Sequence, residues 1–129
     1  MEVECGWVMI VDFNHVLIAN NFADGNGGGI FIHETYDHDF NHLTMAQNSA
    51  NQGGAIYGND MITNLNNSIL YSNFPDEINN EDAGEMYNVS HTNIQGGWDG
   101  VENINSDPLF TDPENDDFTL QPNSPCIDV

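Results

Sequence analysis

Two stretches of the chain are near-copies of each other. Residues 14–31 read NHVLIANNFADGNGGGIF, and residues 41–57 read NHLTMAQNSANQGGAIY. The copies lie 27 residues apart over Asn14/Asn41, Val16/Leu43, Ile18/Met45, Asn21/Asn48 and Ala23/Ala50. They lie 26 apart where Gly27-Gly28-Gly29-Ile30-Phe31 meets Gly53-Gly54-Ala55-Ile56-Tyr57. A period of this size predicts a solenoid, in which each repeat buries its apolar face on its neighbours. A third, more worn copy begins at Asn67 with an offset of 26. It predicts two inward columns, Val16/Leu43/Ile69 and Ile18/Met45/Tyr71, with Leu17, Thr44 and Leu70 between them facing out.

Short strands are expected over 16–19, 29–33, 43–46, 55–57 and 68–71, after a weaker strand at 7–11. The gaps between them are too short for crossover helices, so strands alone must stack the coils. The reading is all-β: a right-handed single-stranded parallel β-helix of about five coils, roughly 20–25 Å tall at ~4.8 Å per coil. One domain spans residues 1–129, with regular coils over 1–73. Irregular last coils and a C-terminal cap follow over 74–129, with Leu109, Phe110, Phe118, Leu120 and Ile127 covering the last coil. Asn21 and Asn48 are expected to form a corner ladder whose amides bond along the column, as in stacked cross-β arrays. The glycine doublets permit a corner that other residues could not adopt. His15 and His42 share a repeat position and should stack.

Composition narrows the function. There is no lysine or arginine against 21 carboxylates, a formal charge of -21. Nucleic-acid binding, a phosphate loop with its lysine and a polybasic membrane anchor all require cations that the chain does not have. No membrane insertion and no targeting segment are expected. Such self-repulsion suits a calcium-rich or saline exterior. The 39% hydrophobic content, recurring in register, argues against disorder despite the acidity. Cys5 and Cys126 stand near opposite ends of a solenoid, a poor geometry for a bridge within one molecule. Sequons occur at Asn66 and Asn88.

The GGGIF and GGAIY motifs resemble the Gly-Gly-[Ala/Gly]-Ile repeats of polymorphic outer-membrane and pectate-lyase-like proteins. These are right-handed parallel β-helix families of secreted and surface-attached bacterial polypeptides. NSILYSN at 67–73, SHTNIQGG at 90–97, NINSDPLF at 103–110 and SPCID at 124–128 resemble the usual final segment of such helices. The resemblance implies an extracellular or cell-surface location. It also implies that a lyase of this shape would need a lysine or arginine, which excludes that mechanism here. A hydrolase would need only two carboxylates. Asp24, Asp37, Asp39 and Asp60 are the groove candidates, and the repeat pattern marks out no pair.

Two metal sets are candidates. Asp112, Glu114, Asp116 and Asp117, with Asp107 and Asn115 nearby, form an oxygen-rich loop of the kind calcium takes. His33, Asp37, His38 and His42 suit a transition metal. The sequence therefore reads as a non-catalytic extracellular structural or adhesive module. Its partner would be another copy of itself, stacked head to tail into a fibre with divalent cations as glue. A carbohydrate-binding or glycan-cleaving module is the alternative, with glycans as partner.

Overall fold

The first two long strands bend sharply at a histidine. β1 (Asp12–Ala19) and β3 (Asp37–Ala46) each contain one residue in the left-handed region, His15 at φ 60 and His42 at φ 54. Histidine and asparagine enter that region more readily than most residues. The next coils place Asn67 (φ 51) and His91 (φ 51) at the same corner, and there the strand breaks in two. The pairs so formed are β5 (Ile62–Asn66) with β6 (Ile69–Tyr71), and β8 (Tyr87–Ser90) with β9 (Asn93–Ile94). A computed structural model describes residues 12–32, 37–58, 62–80 and 87–127.

These six strands make one curled parallel sheet. A second parallel sheet holds β2 (Ile30–Ile32), β4 (Ile56–Gly58) and β7 (Ile78–Asn80). Single parallel bridges continue the stacking between them, Phe22 to Ser49 to Phe74 and Asn26 to Gln52. The chain thus winds as a parallel β-solenoid, with no α-helix among the described residues. A C-terminal antiparallel hairpin follows, β10 (Phe110–Asp112) and β11 (Asp117–Leu120), joined by a 3-10 turn over Pro113–Asn115.

Register decides which side chains meet. Val16 lies opposite Leu43 and Ile18 opposite Met45, the offset of 27. Ile30 lies opposite Ile56, the offset of 26. The third coil departs from its expected register. Thr44 pairs with Ile69, Met45 with Leu70 and Ala46 with Tyr71, an offset of 25. The expected Leu43/Ile69 and Met45/Tyr71 neighbours are therefore each displaced by one residue, which reverses the face. Leu70, expected outside, is fully buried, and Ile69 points outward.

Three factors account for the shift. Ser68 takes the rung beside Leu43 and satisfies two backbone groups, accepting from Leu43 N at 3.0 Å and donating to Asn66 O at 2.8 Å. Asn73 moves opposite Asn48 and joins the buried ladder. Ile69 is partly covered, because Phe110 and Phe118 of the hairpin pack against Ala46 with Ala19, Ile69, Tyr71 and Leu120 around them. The hairpin consequently lies on the flank of the stack rather than over the last coil. Asn20 Nδ2 donates to Asp116 and Gln47 Nε2 to Pro113 O, fastening it there. The segment beside β9 is instead 101–104, through His91 N to Val101 O and Ile94 N to Ile104 O.

Strand stacking also continues past residue 73. β7 pairs with β4, β8 with β5 and β9 with β6. The core is a set of columns: Phe13, Phe40, Leu65 and Val89; Ile18, Met45, Leu70 and Ile94; Ile30, Ile56 and Ile78. Phe13 and Phe40 stack with ring centroids 5.1 Å apart. Phe31 is half-exposed and stacks on the buried Tyr57.

Candidate functional site

The outward face just after the bend carries a cleft of about 410 Å³. Its walls include His42, Ile69, His91, Glu102, Leu120 and Cys126. The left-handed corner aims His42 and His91 outward, and both are exposed. The tail closes the other side. Buried Ser124 donates to Pro108 O at 2.6 Å and accepts from Cys126 N at 3.1 Å. The Cys126 sulfur accepts from Asn93 Nδ2 at 3.2 Å. His42 also stacks flat on His15, with centroids 4.4 Å apart. The cleft offers imidazoles, a carboxylate and a thiol around an apolar floor of Ile69 and Leu120. His91, Glu102 and Cys126 were missed as partners of His42 because they come from three later segments. The shared corner position of His42 and His91 was the one available signal, and it needed the correct register.

Among the described residues no three His, Cys, Asp or Glu side chains converge as a ligand set. At the hairpin tip, Asp112 accepts from Asn115 Nδ2 at 2.8 Å and Asp116 from Asn20 Nδ2 at 2.7 Å. Asp117 accepts from both the Thr119 hydroxyl and N–H, which hold its carboxyl below the usual range. Glu114 is exposed in the 3-10 turn. Of the histidine set, His38 is buried beside Phe40, whereas His42 is exposed. Asp37 opens β3, and His33 lies outside the described residues, as do Cys5 and Asp60. Asp39 is exposed and accepts from Asn64 Nδ2 at 2.7 Å, while Asp24 is exposed beside the Phe22 rung.

The asparagine ladder is the most constrained polar feature. Asn21 Nδ2 donates to Asn48 Oδ1 at 3.0 Å, and Asn48 Nδ2 to Asn73 Oδ1 at 2.9 Å. The backbone N–H groups of Asn21 and Asn48 reach the same two oxygens. The ladder ends on Glu77, whose carboxylate accepts from Asn73 N and Nδ2. Burial outweighs those hydrogen bonds and, aided by nearby Asp76, pushes Glu77 from its ordinary 4.5 up to about 7.

A carboxyl raised in the folded state keeps its proton there while the unfolded chain has lost it. Stability from this group is therefore fully present below pH 4.5 and is lost as pH rises to about 7. The expected loss is about 2 kcal/mol, after discounting 1.36 kcal/mol per unit for residual solvent contact. Urea unfolding at pH 5 and pH 8 checks it. Wild type should lose about 2 kcal/mol more than Glu77→Gln across that interval. Equal losses would remove Glu77 as the cause.

Fold and surface together define a class, the parallel β-solenoid whose outward residues stand in columns. Residues 15–33 and 42–59 each match the family model of the Chlamydia polymorphic membrane protein repeat. The match is to a polymorphic-membrane-type repeat, and each matched stretch begins at a corner histidine, His15 or His42. No curated protein and no solved structure matches the chain. Among the described residues no helix is long and apolar enough to cross a membrane.

Proposed function

We propose that this chain is a non-catalytic structural or adhesive module of a cell surface or extracellular layer. In this reading it is a right-handed solenoid of about five coils that stacks head to tail on further copies. One observation carries the proposal: outward polar and aromatic side chains repeat rung by rung instead of converging. Asp12, Asp39, Asn64 and Asn88 form one column, and Phe22, Ser49 and Phe74 another. A columnar surface offers the same contact repeatedly to an extended partner. The polymorphic-membrane-type repeats support display on a surface. The backbone ladders support this reading, because the bonds that join one coil to the next are of the kind that would join two chains. With 21 carboxylates and no lysine or arginine, such a fibre would draw divalent cations, calcium first.

Protease shaving of intact source cells tests display, with release of the chain expected and full protection contradicting it. Electron microscopy of purified protein with and without chelator tests stacking. Filaments that shorten or disperse on chelation are expected, and uniformly monomeric particles in both conditions would refute assembly.

A further inference from the structure

Phe22 and Phe74 stand on the outside of the stack, 74% and 69% exposed. They are not scattered. Phe22 pairs with Ser49 and Ser49 with Phe74, so all three occupy one column. The two rings stand two rungs apart, ~9.6 Å at ~4.8 Å per strand spacing. The middle rung is a serine, which leaves a notch one side chain wide between the rings.

The column is held rigidly. Ser49 N donates to Asn21 O at 2.9 Å and Phe74 N to Asn48 O at 2.9 Å. From behind, Gly28 lies so close to Ser49 O that an added Cβ would stand 2.7 Å away. Gly54 does the same against Phe74, at 2.5 Å from its N and O. Two large rings held on one rigid, exposed column differ from apolar residues scattered singly over a surface. A carboxylate also follows each ring by two residues. Asp24 is exposed, and Asp76 is oriented by Gly53 N at 2.7 Å and Asn79 Nδ2 at 3.0 Å.

We infer that this column docks a cationic partner by admitting an arginine side chain into the Ser49 notch. The planar guanidinium lies between the Phe22 and Phe74 rings, about 4.8 Å from each and within cation–π reach, and Asp24 and Asp76 neutralise it. Lysine fits less well, because a compact, strongly hydrated ammonium does not present a flat face to a ring. A neutral apolar ligand would desolvate the neighbouring carboxylates without compensation. A second copy of the chain is excluded as the guest, since it brings no lysine or arginine and the same charge of -21. The partner is therefore a different molecule with exposed arginine. This deepens the adhesive reading and rests on it. A binding assay on purified protein reads the notch alone, so it can fail while surface display holds, and the reverse.

The test is binding to immobilised poly-L-arginine and poly-L-lysine at physiological salt. Wild type, Phe22→Ala/Phe74→Ala and Ser49→Phe are compared, none of which alters net charge. Wild type should bind poly-L-arginine about tenfold more tightly than poly-L-lysine. The double variant removes exposed rings only and should keep its melting temperature. It should lose the arginine preference about tenfold while poly-L-lysine binding is unchanged. Ser49→Phe, which fills the notch, should lose it too. Equal wild-type binding of the two polymers, or an arginine preference that survives in either variant, overturns the inference.

Discussion

Gly54→Ala should abolish folding, or cost about 3 kcal/mol or more if a folded state survives. The added Cβ would stand 2.5 Å from both the N and the O of Phe74, and 2.8 Å from its carbonyl carbon. These are backbone atoms of the next coil, so no rotamer change relieves the overlap. That coil is itself tied down, by Gly54 N to Asp76 O at 2.8 Å and Ala50 N to Phe74 O at 3.0 Å. The two glycines of the doublet answer different demands. Gly53 is left-handed at φ 63, whereas Gly54 is the point where one coil's backbone touches the next. Gly25 is the control, since an added Cβ there meets nothing within 4 Å. Gly25→Ala should change stability by no more than about 0.5 kcal/mol. Thermal unfolding of both variants checks the pair, and similar melting temperatures would contradict the close approach.

The second large effect separates two neighbouring residues. Leu70→Ala should cost about 3 kcal/mol, the usual range for a fully buried leucine. Ile69→Ala should cost about 1 kcal/mol, because its side chain is only partly covered by the hairpin. Leu70 is 0% exposed and packs in the column with Met45 and Ile94. The offset of 26 would reverse this order, placing Ile69 inside and Leu70 out. Equilibrium urea unfolding of the two variants gives the answer directly, and a larger loss for Ile69→Ala would refute the register.

The first two coils were legible because their matched positions carry distinct residues. The Gly-Gly-x-Ile motif has one plausible alignment, and it yields the observed Ile30/Ile56 pair. The third coil was ambiguous at the doublet Asn66-Asn67, either of which can be set against Asn41. Matching apolar residues favours Asn67, but the structure pairs Asn41 with Asn66. Hydrogen bonding outweighs apolar matching here, since that register satisfies Ser68, Asn48 and Asn73 together. An isolated apolar count cannot register that gain. β5, β7 and β8 were missed for a related reason. Among the described side chains, Leu65 of β5, Val89 of β8 and Ile78 of β7 enter the core, each among asparagines. Strands so short and polar carry no readable alternation. The cleft was illegible because its walls join a corner, a late turn and the tail, which only the wound chain brings together.

The central claim is the stacking register of the coils, and methyl–methyl nuclear Overhauser effects on selectively labelled protein measure it most directly. Cross-peaks between Val16 and Leu43, from the Met45 methyl to Ile18, and from Met45 to Leu70 are the predicted pattern. Absence of the Val16–Leu43 contact, or a Leu43–Ile69 cross-peak in place of Met45–Leu70, would contradict it.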